Sequence, residues 1–233
     1  MQSAGRSDIG RRRSNNQDSF LMNEEMGLYL VADGMGGHSG GEVASLMAVQ
    51  TLESILKEGK TEDRPKRLVE AIELCNRSIF DQAKKDAKLN GMGTTLTATL
   101  FLDDKLYIGQ VGDSRCYLYR ESEIYQLTED HSQVYELLKA GLITDANFHS
   151  FQRNVITRSV GFEPQVNVDM FVRVVRPGDR YLVCSDGLSG MVSNEQMAQV
   201  LQNFTVAQAC DNLIELANLQ GGEDNISVVI VEI

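Results

Sequence analysis

The chain has 233 residues, 42% of them hydrophobic and 24% charged, with a net charge of −11 and a pI near 4.8. That length suits one large sheet-rich domain with a substantial core, and no apolar run approaches the ~18 residues needed to span a membrane. The acidic balance has the wrong sign for an electrostatic footprint on nucleic acid or anionic lipid, and Met1-Gln2-Ser3-Ala4-Gly5-Arg6, which lacks the apolar stretch of a secretory signal, points to the cytoplasm.

Short β-rich runs come first, Ser19 to Asn23 and Leu28 to Ala32, the second entering the turn-prone Asp33-Gly34-Met35-Gly36-Gly37. A helix is expected from about Glu42 to Leu56. A second should follow, with Pro65 in its first turn and Leu68, Ile72, Cys75 and Ile79 recurring at three- and four-residue steps. Thr95 to Leu102 and Lys105 to Val111 predict a hairpin about Asp103-Asp104, a turn without glycine.

Strand character continues at Cys116 to Tyr119 and Ile124 to Leu127, Ser132 to Ala140 reads as helix, and the polar stretch Thr144 to Ser159 as an irregular surface excursion able to act as a lid. Val166 to Val175 and Tyr181 to Cys184 return to strand, two helical patterns lie between Asn194 and Leu219, and a β-branched run closes the chain from Asn225 to Ile233. Strand groups and helix pairs alternate in blocks, which favours an α+β fold with antiparallel sheets. No repeat or low-complexity linker interrupts the chain, so residues 1–233 read as a single domain.

Cys75, Cys116, Cys184 and Cys210 are scattered, with no Cys-x-x-Cys pair and no Cys-x5-Arg phosphate loop. They read as buried thiols, and covalent cysteine chemistry loses its main support.

The most informative stretch runs from Asp33 to Gly41. It lacks the Gly-Lys-Ser/Thr of a Walker loop, and Ser39 breaks the Gly-x-Gly-x-x-Gly pattern, which disfavours nucleotide cradling. A carboxylate followed by glycines, which let backbone carbonyls approach closely, suits a hard cation. A plain glycine turn explains the stretch equally well when it is taken alone.

Asp186, after an apolar strand, and Asp224, before one, sit in similar settings. Each alone reads as a turn residue. Together with Asp33 they form a set that antiparallel packing can bring to one edge, where with water they supply an oxygen shell for Mg2+ or Mn2+. Arg13, five residues before Asp18, has the planar fork that grips a phosphate, although Arg11 and Arg12 beside it also fit a solvated basic run. Gly112-Asp113-Ser114-Arg115 reads equally as a hairpin turn.

The ordered series Asp8-x-Gly10, Arg13-x-x-Asn-Gln-Asp18, Asp33-Gly-Met-Gly-Gly-His38, Gly91-Met-Gly-Thr-Thr95, Gly112-Asp-Ser-Arg115, Ser185-Asp-Gly187 and Gly222-x-Asp-Asn225 resembles the bacterial members of the PPM (type 2C) metal-dependent protein phosphatases, from about Gly5 to Val231. The resemblance implies a four-layer αββα sandwich, with two central antiparallel sheets flanked by helix pairs and a flap at about 132–159. It implies hydrolysis of phosphoserine and phosphothreonine in proteins by water activated at two or three Mg2+ or Mn2+ ions, in opposition to bacterial Ser/Thr kinases.

By the same resemblance Asp33 bridges two ions, Asp186 and Asp224 complete the first, and the Gly34 carbonyl and, through water, Asp18 serve the second. Asp113 joins Asp186 at a weaker third site, Arg13 clamps the substrate phosphate, and Asn225 orients a ligand or water. Met35 stands where eukaryotic relatives carry a histidine proposed as general acid, so leaving-group protonation is left to water or to an unassigned residue. His38 is given a supporting role beside the cluster. His131 and His149 are more distant candidates, and His149, Arg153 and Arg158 fall in or beside the flap.

A catalytically silent phosphoprotein-binding module and a metal-dependent phosphodiesterase or nuclease are the competing readings. The retained aspartates argue against the first, and the acidic surface and motif order against the second. A monomer acting on phosphorylated proteins is the expectation.

Overall fold

The computed structural model describes residues 1–36, 40–58, 60–144 and 155–233. In chain order the described elements are β1 (Gln2–Asp8), β2 (Asp18–Asn23), β3 (Leu28–Met35), α1 (Gly40–Lys57), α2 (Arg64–Lys85), β4 (Gly93–Thr94), β5 (Leu96–Leu102), β6 (Lys105–Val111), β7 (Arg115–Arg120), β8 (Glu123–Gln126), α3 (Gln133–Lys139), β9 (Asp169–Val174), β10 (Arg180–Cys184), α4 (Asp186–Ser189), α5 (Asn194–Asn203), α6 (Val206–Leu219) and β11 (Ile226–Glu232).

Two sheets form, one in the order β1-β11-β10-β7-β8 and the other β2-β3-β5-β6-β9 with β4 paired to β3. All of their pairings are antiparallel.

The period-2 alternation of the strands builds the layers. In β3, Leu28, Leu30 and Ala32 face α1 and α2, where they meet the Leu68, Ile72, Cys75 and Ile79 stripe. Tyr29 and Val31 face the other way, into the space between the sheets. In β10, Leu182 and Cys184 face α5 and α6, while Tyr181 and Val183 point inward. Phe101 stands edge-on to Tyr29 and to Tyr181 at centroid distances of 5.8 and 5.3 Å, joining the two sheets. Each such pair is worth about 0.5–1.5 kcal/mol beyond its buried area. The result is the expected four-layer αββα sandwich.

Local signals set several boundaries. Pro65 lies in the first turn of α2. Ser193 with Gln196, and Thr205 with Gln208, form capping boxes that start α5 and α6. The β5–β6 turn does without glycine because Asp103 takes a left-handed φ of 54°, a region short polar side chains tolerate.

Four details depart from expectation. β1 is a strand without β-branched residues, held by the β-rich β11 along its whole length. β3 runs on through Asp33 to Met35 because Asp18 and Thr94 offer it partners. β9 begins at Asp169 and is shorter than Val166 to Val175. The one-turn α4 follows β10 directly. Within the flap, α3 is described while 145–154 lie outside the described residues, and with them fall His149 and Arg153.

All four cysteines are buried and unpaired, and burial pushes Cys75, Cys184 and Cys210 up to about 12. Among the described residues no helix is long and apolar enough to cross a membrane.

Candidate functional site

The site forms where one end of each sheet meets the other, linked by Ser185 and Asp18. Asp18 opens β2 directly opposite Asp33 on β3. The backbone of Asp33 is tied down: its N–H donates to Thr95 Oγ1 at 2.9 Å, and its carbonyl accepts from Thr95 N–H at 2.8 Å and Thr94 Oγ1 at 2.9 Å. Gly34 follows in a space that admits no side chain, since a Cβ there would lie 2.0 Å from the Gly41 carbonyl oxygen at the start of α1. Its N–H donates to the Gln17 carbonyl at 3.2 Å.

The other sheet delivers Asp186 at the first turn of α4 and Asp224 in the turn before β11. Ser185 crosses the gap: its hydroxyl donates to Asp18 Oδ2 at 2.8 Å and accepts from Ser227 N–H at 2.9 Å. Arg13 places an Nη 2.6 Å from Asp224 Oδ2. Asn225 fastens the arm that carries Arg13. Its Nδ2 donates to the Ile9 and Asn15 carbonyls, each at 2.9 Å, and its Oδ1 accepts from Gln17 N–H at 2.8 Å. The Asn225 side chain is thus spent on the backbone of residues 9–17, and only its N–H, donating to Asp224 Oδ1 at 2.8 Å, touches a carboxylate.

Asp113 sits in the β6–β7 turn and is buried. The turn is braced from behind by Gln110, whose Nε2 donates to the Gly112 and Ser114 carbonyls at 2.9 and 2.7 Å. Beside it Arg115 holds Asp130 through three contacts of 2.6 to 3.0 Å. Arg13, Asp113, Arg115, Asp130, Asp186 and Asp224 line one open cleft of about 450 Å³.

The electrostatics are those of crowded, poorly hydrated carboxylates. Burial pushes Asp18 up to about 7, against the Ser185 hydrogen bond that favours its ionised form, with Asp186 and Asp224 raising it further. Burial, with Asp186 and Asp130, pushes Asp113 up to about 8. Asp33 rises well above the ordinary range, through burial first and then Asp18, Asp186, Asp113 and Asp224. Asp186 rises through burial and then Asp224, with Asp33, Arg115 and Arg13 acting in the opposite direction.

Two oxygens decide whether cations belong here. Oδ1 of Asp18 and Oδ1 of Asp186 are buried and accept no hydrogen bond. Buried ionised oxygens with no donor are strongly disfavoured unless a cation meets them, so the residues fit a divalent metal. Among the described residues no three acidic, histidine or cysteine side chains close into a ready-made cage. The cluster is an open row of carboxylates, which suits ions that keep several waters, as Mg2+ does.

The structure therefore brings together Arg13, Asp18, Asp33, Gly34, Asp113, Asp186, Asp224 and Asn225, while His38 lies outside the described residues. His131 is buried with both ring nitrogens engaged, by Gly112 and by Asp169, and offers no face to a leaving group. Ser185, Thr95 and Arg115 stand in the motif series without an assigned role, and Asp130 is not named from the sequence. The positions of the first three, directly beside Asp186, after Thr94 and closing Gly112-Asp-Ser-Arg115, were the available signal.

The profile of the family described as Protein phosphatase 2C matches residues 4–219. The chain is 42% identical to the serine/threonine phosphatase stp of Listeria innocua, over 97% of this chain and 94% of that protein. It superposes on the crystal structure of the Mycobacterium tuberculosis serine/threonine phosphatase PstP/Ppp with a TM-score of 0.94 at 41% identity, covering 100% of this chain and 98% of that one. The catalytic domain of PstP in complex with two manganese ions matches with a TM-score of 0.91 at 40% identity, over 99% and 97% of the two chains.

Proposed function

The chain belongs to the protein phosphatase 2C family and is a metal-dependent serine/threonine protein phosphatase, and from this premise we propose which of its residues perform the hydrolysis. Asp33, Asp186 and Asp224, with the Gly34 carbonyl and Asp18, are the residues that would hold two ions. Asp113 with Asp186 would hold a weaker third. When bound, Mg2+ or Mn2+ supply water activated near neutral pH and positive charge against the phosphoryl oxygens.

The chain's own groups do the rest. Arg13 receives the substrate phosphate with a planar fork of five donors, more than its contact with one Asp224 oxygen requires. Asn225 and Gln17 keep the Arg13 arm in place, so that phosphate and carboxylate row face each other before substrate arrives. Ser185 ties Asp18 to the other sheet, and Thr95 holds the Asp33 backbone within its own.

The substrates are phosphorylated proteins. We assign to the same reading a role in opposing a Ser/Thr kinase, action as a single catalytic domain over 1–233, a monomeric state and a cytoplasmic setting.

The observation that carries the site assignment is the pair of buried, donor-less oxygens on Asp18 and Asp186 beside Asp33. The test is hydrolysis of a phosphothreonine peptide with Mn2+, with and without chelator, for wild type, Asp33→Asn and Asp186→Asn. Loss of activity in chelator and in both folded variants supports the assignment. A well-folded, metal-loaded wild type inert on several phosphopeptides would move the phosphoprotein-binding reading forward.

A further inference from the structure

Gly112, next to Asp113, is gripped by His131 at both ends of its peptide unit. The Gly112 N–H donates to Nδ1 of His131, and the Gly112 carbonyl accepts from the His131 N–H, each at 3.0 Å. Gly112 takes a φ of 101°, and a Cβ there would lie 2.6 Å from Thr95, so no larger residue fits the clamp. With Nδ1 an acceptor, the ring is the neutral tautomer carrying its proton on Nε2.

That second nitrogen lies 3.1 Å from Asp169 Oδ2 at the start of β9 and 3.1 Å from Arg158 Nη1. Asp169 is held in turn by Arg158, whose Nη1 lies 2.7 Å from Oδ1 and also donates to the Asn167 carbonyl at 3.1 Å. The backbone repeats the link: the His131 carbonyl accepts from Thr157 N–H at 2.8 Å, and Ser132 bridges Ile156. Gln110 and Thr97 also brace the turn through the Ser114 carbonyl, but they belong to the sheet. His131 connects the turn outward, to the surface arm 155–160.

We propose that His131 is a positioning residue through which the 155–160 arm and Asp169 set the placement of Asp113, so that the arm and the weakest metal site are linked. The proposal rests on the reading of Asp113 as a ligand of a third ion. A rigid two-sided clamp on Gly112 passes a displacement of the arm to the carboxylate one residue on. Linkage is reciprocal, so a protein substrate that orders the arm tightens the ion and the ion orders the arm.

The test is calorimetric titration of the metal-stripped protein with Mn2+, alongside amide hydrogen exchange at Gly112, for wild type, Asp113→Asn, His131→Ala, His131→Asn, Asp169→Asn and the His131→Ala/Asp169→Asn double variant. Asp113→Asn removes the weakest Mn2+ step. His131→Ala weakens that step by about 10-fold, the lower end of the loss seen when a residue supporting a metal ligand is removed, leaves the tighter steps unchanged and speeds Gly112 exchange. His131→Asn, whose carboxamide oxygen can replace Nδ1 as acceptor, recovers part of the loss. Asp169→Asn produces a smaller change of the same kind that disappears in the His131→Ala background.

If Asp113→Asn keeps every Mn2+ step, the third-ion reading falls, and Gly112 exchange in Asp169→Asn still decides the mechanical link. If Asp113→Asn removes a step but Asp169→Asn leaves that step and Gly112 exchange as in wild type, the proposal is overturned. The same holds if the Asp169 and His131 effects simply add. Asp169 is 38% exposed, so its variant remains informative even where His131→Ala fails to fold.

Discussion

Asp18 and Asp33 face each other directly across the β2–β3 ladder, with the Ser185 hydroxyl on Asp18 and the Thr95 hydroxyl at the Asp33 N–H. Two carboxyls in that position repel when both are ionised. The sheet end is therefore arranged for an occupant that neutralises them.

The first prediction concerns pH. Asp18 and Asp113 have folded-state values raised from 3.8 to about 7 and about 8. The folded, metal-free protein holds protons that the unfolded chain has released, so their stabilising effect is full below pH 3.8 and is lost as pH rises through 7 and 8. Chelated protein should melt at lower temperature at pH 8.5 than at pH 5.5, by about 2–4 °C for each kcal/mol lost. Saturating Mn2+ should reverse the trend, because metal competes with those protons. Thermal melts across the range, with and without chelator, measure both slopes.

A second prediction separates metal binding from folding. Asp33→Asn removes one charge from the crowded row, so in chelator the variant should be at least as stable as wild type at pH 8. It should gain much less than wild type from Mn2+, and its turnover should fall by about 100-fold or more, as expected when a centre of transition-state charge stabilisation is removed. Calorimetry with paired activity assays reads both.

Arg13→Ala should lower kcat/KM on a phosphopeptide by about 10- to 100-fold, the equivalent of one charge-assisted hydrogen bond. Asn225→Ala should produce part of that loss and add little to it in the Arg13→Ala background, because its carboxamide acts on the Arg13 arm through Ile9, Asn15 and Gln17. Independent, additive losses would show that Asn225 acts elsewhere.

Gly187→Ala should destabilise by about 1–3 kcal/mol through overpacking, since its Cβ would lie 2.0 Å from the Asn225 carbonyl oxygen. Activity should fall with it, because the contact displaces the residue that anchors the Arg13 arm. Denaturant melts and peptide assays on the purified variant test the pairing of the two effects.

Much of this was legible in the residues. The Leu68, Ile72, Cys75 and Ile79 stripe announced a helix that packs as expected, and the aspartates flanked by glycine marked the strand ends that meet. β1 was not legible, because Gln2-Ser-Ala-Gly-Arg-Ser-Asp8 has no strand-like alternation of its own and takes its conformation from β11. Nor was the continuation of β3 through Asp33, since local turn propensity spoke for a stop and the pairing with Asp18 and Thr94 overrode it. The part played by Asn225 was hidden for a related reason: its contacts reach residues more than two hundred positions away along the chain.

The buried cysteines carry a consequence for oxidative stress. Thiol oxidation needs an accessible thiolate, and Cys75, Cys184 and Cys210, held at about 12 and closed off from solvent, present none. Peroxide that silences an enzyme working through a sulfur nucleophile finds no such target among these side chains. The cysteines of this phosphatase therefore offer oxidants no route to switching its activity off.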